Sequence, residues 1–477
     1  MTGSDLALIL PLIVLAATSI ALLFVASFGR SHKLAYATTV LGLLGALVSV
    51  LTQDSDGQYG AAWLFMVDGY TRFYMVLVLL ASIVVTVISY GVVQRGAPRR
   101  VEYYALLAMS TLGAVTLVAA NHIASLFLGL ELLSVSLYAM IAYPRSGDPK
   151  ALEAAAKYLI LAGASSAFLL FGGALVYAEF GSMDLHWIAM TLPGESVSPL
   201  VLAGFGMILV GASFKLGLVP FHLWAPDVYE GAWAPVAAYV ATCSKAAVLG
   251  VVFRYLGPLA VEMNPGMLLG VSAVAVASMI GGNLYALMQR DLRRVLGYSS
   301  VAHMGYALVA FIAGGSWGSV ALAFYLTGYC ITVLAAFAIL SVLPDPGGGY
   351  RGLARSRPWL AGALAMLLLS LAGMPLTAGF LGKFYLATVG VRAGLWSLLV
   401  AMVVANLMGL FVYLRILTAL FDEADAGAEE ARPSVTIGVL VAVLIALLVW
   451  LGTYPAPVLR LLERAVGFGA GWLWISS

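Results

Sequence analysis

Glu131, Lys215, Lys245 and Lys383 sit inside stretches that otherwise read as lipid-spanning helix. A charge near the bilayer centre costs about 2.5–3.5 kcal/mol on insertion scales. Four such side chains in one chain imply paired charges, internal water and a charge-moving function. Glu131 lies in LFLGLELLSVSLYAM, Lys215 in GASFKLGLVPFHLWAPDVYEG, Lys245 in AYVATCSKAAVLG and Lys383 in TAGFLGKFYLATVG. Burial favours a neutral amine, whereas a neighbouring carboxylate favours the ammonium. A lysine whose carboxylate partner approaches and withdraws is thereby switched between releasing and holding a proton. On this reading Glu131 modulates Lys215, Lys245 relays protons at the centre, and Lys383 serves the exit end. The competing reading is a set of fixed ion pairs that only join helices, a role hydrophobic residues often fill as well.

Three side chains carry a weaker signal. Lys157 stands four residues after Glu153, a spacing that also suits a surface ion pair. His303, in GYSSVAHMGY, lies among small polar residues and suits either a water chain or plain packing. His222 follows Pro220 at a helix break. Phe221, Trp224 and Tyr229 are read as interface anchors.

These side chains need a scaffold, and composition dictates which kind. The chain is 62% hydrophobic and 10% charged, against roughly 45–50% and 25% in soluble domains. Apolar runs of about 20 residues follow one another, each long enough to cross the bilayer as a helix. The alternating segments of a strand barrel are absent. The expected fold class is therefore an all-α polytopic membrane protein. The net charge of +2 is uninformative, and the chain offers no basic tract for nucleic acid. Cys243 and Cys330 lie alone in separate apolar runs and form no CxxC-type motif. No GxGxxG after a strand, P-loop or haem-attachment sequence occurs, so neither cofactor nor metal is expected on this chain.

Fourteen spans are predicted, at approximately 5–28, 34–52, 67–92, 101–120, 122–143, 152–178, 199–222, 232–256, 267–288, 294–314, 317–343, 359–390, 395–421 and 434–453. Met1–Asp5 lacks a basic signal-peptide region, so the first run is expected to remain as helix 1. Arg30 and Lys33, Arg95 to Arg100, Arg145 and Lys150, Arg290 to Arg294, and Arg351 to Arg357 all fall on one side, the cytoplasmic one by the positive-inside rule. Asp54, Asp56, Asp184 and Glu195 fall on the other side, where both termini are also expected. Two cytoplasmic connections, Asp227–Glu230 and Asp422–Glu430, are acidic against this trend. Pro455 and Pro457 break the chain before a tail bearing Trp472 and Trp474. Pro220 and Pro375 interrupt helices 7 and 12, and paired broken helices point to inverted repeats with ion sites where they unwind. The domain reading is 1–100 for helices 1–3, 101–258 and 259–421 for two inverted five-helix repeats, and 422–477 for helix 14 and the tail. Aligning Pro375 on Pro220 places Ser370 where Lys215 stands, so the second repeat lacks that lysine.

FKLGLVPFHLWAPDVYEGAWAPV, SKAA, QRDLRRVLGYSSVAHMGY and GMPLTAGFLGKFY together resemble the antiporter-like membrane subunits of respiratory complex I, the proton-translocating NADH:quinone oxidoreductase. The match runs across helices 4–13. Little chain follows helix 14, and a lysine occupies GKF where M-type members have glutamate; both favour the N-type branch. The resemblance implies a fourteen-helix subunit in which Glu131, Lys215, Lys245 and Lys383 fall on the family's proton-translocating glutamate and lysines. Lys157 falls on its helix 6 lysine, and His222 and His303 on its polar-axis histidines. It further implies that quinone reduction in partner subunits drives outward pumping. Quinone, NADH, FMN and iron–sulfur clusters would then be held by those other chains, and the partners would be other antiporter-like and small membrane subunits within the bilayer. The implied location is a bacterial inner (plasma) membrane, or a thylakoid. Two alternatives share the fold: a subunit of a cation/proton antiporter or membrane-bound hydrogenase, and a non-transporting member of the membrane arm.

Overall fold

A chain with this hydropathy must close its backbone hydrogen bonds within each segment, and helices do so. The computed structural model describes residues 3–53, 63–96, 99–143, 149–191, 198–261, 265–343, 349–422 and 434–467. Helices 1–6 are Leu10–Phe28, His32–Leu51, Gly69–Gly96, Arg100–Ala119, Ile123–Ile141 and Pro149–Phe180. Helix 7 is Pro199–Leu216, continued after a break by Trp224–Gly231. Helix 8 is Ala234–Gly257. Helices 9–11 are Pro265–Leu287, Leu292–Ala313 and Gly315–Leu340. Helix 12 is split into Pro358–Ala372 and Ala378–Arg392, and helices 13 and 14 are Trp396–Ala419 and Val435–Thr453.

Among the described residues, thirteen helices are long and apolar enough to cross a membrane, and the two halves of helix 12 make the fourteenth crossing. Only isolated β-bridges occur, one of them pairing Phe65 with Ala120 beside the tight turn between helices 4 and 5. There His122 Nδ1 accepts the Ala124 N–H (3.1 Å) and starts helix 5. Short helices not foreseen include Leu185–Thr191 between helices 6 and 7, Leu353–Ser356 between helices 11 and 12, and Ala456–Leu462, which begins at the Pro455–Pro457 break. Trp472, Trp474, Asp54, Asp56, Glu195 and most of the Asp422–Glu430 connection lie outside the described residues.

The layers sort by burial. The spanning windows of helices 8 and 10 are 100% buried inside the protein, against 28% for helices 1, 9 and 14. Helices 8 and 10 are thus the centre of the bundle, and polar side chains on them face protein rather than lipid. Helices 6 and 7 approach closely because Gly172 faces Gly204; a Cβ on Gly204 would stand 2.8 Å from the Gly172 oxygen.

Both broken helices end their first half in the same way. Gly217 (φ 72°) and Gly373 (φ 85°) adopt the left-handed conformation. Their N–H groups bond Phe214 O and Ser370 O, while Leu218 N and Met374 N bond Ser213 O and Leu369 O. This reverse-turn cap satisfies carbonyls that the next helical turn would have taken. Matching the two caps, rather than the two prolines, places Leu371 opposite Lys215, one residue on from Ser370. That position in helix 12 remains without a lysine. Gly373→Ala is expected to cost about 1–2 kcal/mol, the penalty of left-handed backbone for an L-residue. Its Cβ would also stand 3.2 Å from Lys383 Cδ. Gly362→Ala, with nothing within 4 Å of the added carbon, is the neutral control in a thermal-unfolding comparison.

Candidate functional site

Helix 5 carries Glu131 and, one turn on, Ser134. The Glu131 carboxylate is half-buried and accepts a hydrogen bond from the Ser166 hydroxyl of helix 6. Lys215, at the last turn before the helix 7 break, is 1% exposed and donates to Ser134 Oγ (2.6 Å). The Tyr158 and Phe214 rings stand 5.7 and 5.8 Å from its ammonium. Glu131 and Lys215 make no direct ion pair, yet the carboxylate is near enough for its charge to act on the ammonium. Trp224 closes this end, its indole N–H donating to the Phe214 carbonyl (2.9 Å), which also accepts the Gly217 N–H of the cap.

Lys245 follows a widened turn of helix 8, Val240–Ser244, of the kind often found at functional sites. It is fully buried, donates to the Ser300 hydroxyl, and stands 6.0 Å from the Tyr229 ring. Tyr229 OH donates to the same Ser300 oxygen (3.0 Å). The helix 7 break reaches this point, since a Cβ on Gly217 would lie 3.8 Å from Lys245 Nζ. Along helix 10, Ser300, His303 and Tyr306 recur at intervals of three and share one face. His303 Nδ1 and Tyr325 OH share a hydrogen bond (2.7 Å), and the charges of Lys383 and Lys245 both act at His303. Lys383 donates to Leu371 O (2.6 Å) and Asn406 Oδ1 (2.5 Å), with its ammonium 5.1 Å from the Tyr306 ring.

The expectation of paired charges needs correction. Lys215, Lys245 and Lys383 are held by hydroxyl, carbonyl and amide oxygens, and among the described residues none has a carboxylate within ion-pair distance. Such neutral partners solvate an ammonium without supplying a fixed opposite charge. His303 lies between Lys245 and Lys383, whereas His222 stands at the helix 7 break beside the stacked Tyr285 and Tyr298 rings.

Lys157 is placed elsewhere. Its side chain is 45% exposed and pairs with Glu153 and Asp227 (both 2.7 Å). Asp227 and Glu230 also bind Arg294 (2.8 and 2.7 Å), and Glu230 binds Lys150 (2.6 Å). This network explains why an acidic connection sits on the basic side: helices 6 and 10 neutralise it. Burial raises the Glu230 carboxyl, but the hydrogen bonds from Lys150 and Arg294 outweigh it and hold it below the ordinary glutamate value.

Sequence reasoning misplaced Trp224 and Tyr229, which are buried beside the lysines rather than anchored at an interface. It also passed over Ser134, Ser166, Ser300, Tyr306, Tyr325 and Asn406. A usable signal existed for some: Ser134 lies one helical turn from Glu131, and Ser300 and Tyr306 lie one turn either side of His303. Nothing in the sequence announced Ser166 or Asn406, whose partners are remote in the chain.

Comparison with known proteins bears on this arrangement. Residues 120–409 match the family model for the transmembrane region of NADH:quinone oxidoreductases and Mrp antiporters. NADH-quinone oxidoreductase subunit N of Ectopseudomonas mendocina (strain ymp) is 42% identical, over 97% of each chain. A chain of respiratory complex I from Thermus thermophilus with bound aureothin superposes with a TM-score of 0.83 at 33% identity, covering 95% of this chain and 99% of that one. A chain of the Mrp complex from Dietzia sp. DQ12-45-1b superposes with a TM-score of 0.85 at 20% identity, covering 99% of both, and shares the fold.

Proposed function

Because this chain belongs to the NADH:quinone oxidoreductase/Mrp antiporter membrane family, we propose that it is a proton-translocating membrane-arm subunit of NADH:quinone oxidoreductase. Two five-helix units, 101–258 and 259–421, face each other in opposite orientation. Protons pass along Lys215, Lys245, His303 and Lys383, with Glu131 modulating Lys215 and Lys383 at the exit. Moving one charge against the membrane potential costs about 2.3 kcal/mol per 100 mV. Quinone reduction in partner subunits, which hold the NADH, FMN and iron–sulfur sites, supplies that energy. The chain lies in a bacterial inner membrane with both termini on the outer side, joined to other antiporter-like and small membrane subunits. Lys157, paired at the surface end of helix 6, tethers the short helix Trp224–Gly231. His222 stands at the mouth of the helix 7 break.

The observation that carries this reading is the placement of three buried ammonium groups on hydroxyls and carbonyls alone, with His303 between two of them. Lys215→Ala in the assembled complex tests it. Redox-driven proton transfer is expected to fall while the quantity of complex is unchanged. Normal transfer in that variant assigns the chain a purely structural role, and cation-dependent exchange without quinone-reducing partners assigns it to an antiporter.

A further inference from the structure

Between helices 5, 6, 7 and 8 and the short helix Leu185–Thr191 the chain leaves a partly enclosed cavity of about 60 Å³. Its lining runs from Ile123 to Leu130 on helix 5, from Phe205 to Ala212 on helix 7 and from Val248 to Leu256 on helix 8. At 1.5 Å per helical residue these walls extend about 10–12 Å along the bundle axis. The cavity is therefore long and narrow, and it lies parallel to the lipid chains.

The walls offer water nothing to bind. They are aliphatic and aromatic throughout, and the hydroxyl of Tyr255, which also borders the cavity, is already bonded to Ala120 O (2.8 Å) and Asn121 Oδ1 (3.1 Å). Apolar cavities of this kind stay dry and take apolar guests. One water-sized sphere needs about 10–15 Å³, so the space admits a short run of methylenes rather than a ring system. Hydrocarbon is also the medium outside: Phe168, Leu170 and Phe171 of helix 6 are exposed on the outer face of the same wall.

We propose that this cavity binds the end of a phospholipid acyl chain from the leaflet on the Asp184 side. An unbranched chain fits the narrow shape, whereas the methyl branches of an isoprenoid quinone tail demand more width. The inner end of the cavity lies at the charged residues. Leu130 precedes Glu131, Ala212 stands one turn before Lys215, and Val248 one turn after Lys245. On the functional reading above, the chain end keeps water from joining these residues to the Asp184 side, so protons move along the axis rather than across it.

The test uses the assembled complex in membranes containing a phospholipid with a diazirine near one acyl terminus. Illumination followed by peptide mapping is expected to place adducts at the inner end of the lining, at Leu130 or Val248, and Ala189→Trp at the mouth is expected to remove them. Adducts confined to Phe168 and Phe171 would overturn the site. Lining adducts from a diazirine-tailed quinone but not from the phospholipid would overturn the assigned occupant. The unmodified protein decides both points if Ala189→Trp does not assemble. Labelling is independent of proton transfer, so it stands apart from the Lys215→Ala result.

Discussion

Lys245→Arg is expected to stop redox-driven proton transfer as completely as Lys245→Met, with assembled complex present in both. A relay must give its proton up, and an arginine guanidinium does not do so in proteins. A lysine that served only as a fixed positive charge would be replaced successfully by arginine. The two variants thus separate relay from static charge at a site where Lys245 is fully buried and donates to Ser300. Losing a positioned proton-transfer group typically costs about 10²–10⁴-fold, so transfer is expected to fall to background in both. Arginine adds volume to a packed core, at a cost of about 1–3 kcal/mol; Lys245→Met preserves volume and controls for that. The measurement is proton uptake by inverted vesicles during NADH oxidation, normalised to the quantity of complex.

Asp68→Ala is expected to produce the largest loss of stability. Asp68 and Arg254 form a two-pronged ion pair (2.6 and 3.1 Å) joining the start of helix 3 to the end of helix 8. Arg254 also donates to Thr71 Oγ1 (2.7 Å) and lies between the Tyr70 and Tyr255 rings, 5.3 and 5.7 Å from its guanidinium. Removing one partner strands the other charge, at about 3–5 kcal/mol. Asp68→Leu combined with Arg254→Met removes both charges and is expected to recover much of that loss. The pair also predicts a pH dependence. Burial raises the Asp68 carboxyl, but the charge and hydrogen bonds of Arg254 outweigh it and hold the group below its ordinary value. Its stabilisation is therefore complete above the pKa of an unfolded aspartate and is lost as pH falls through the folded value. Thermal unfolding of the complex against pH checks both statements, with the double variant lacking this acid-sensitive component.

The architecture was legible because a membrane helix needs a long apolar run, and among the described residues thirteen such helices formed, with the split helix 12 beside them. The lysines were legible for the converse reason: Lys215, Lys245 and Lys383 interrupt those runs. What holds each lysine was less legible: Ser134 and Ser300 stand one turn from Glu131 and His303, but nothing in the sequence joins them to lysines on other helices, and Asn406 carried no signal at all. Trp224 was misread for a similar reason. An aromatic residue after a proline break suits an interface, yet the indole turns inward and adds a second hydrogen bond to the Phe214 carbonyl that caps the first half of helix 7. Lys157 shows the limit of matching by position alone. Its spacing from Glu153 correctly suggested a surface ion pair, and only the fold reveals that Asp227 and Arg294 complete the network.

The relay is tested most directly at His303, where the charges of Lys245 and Lys383 both act. Tyr325 OH also reaches the His303 carbonyl (3.3 Å), so His303→Phe leaves that hydroxyl a partner and the packing of the ring intact. The quantity to measure is the number of protons moved per NADH oxidised by the assembled variant complex. Connection through His303 predicts a lower ratio with the quantity of complex unchanged. A ratio equal to that of the unmodified protein would contradict a continuous path from helix 8 to helix 12.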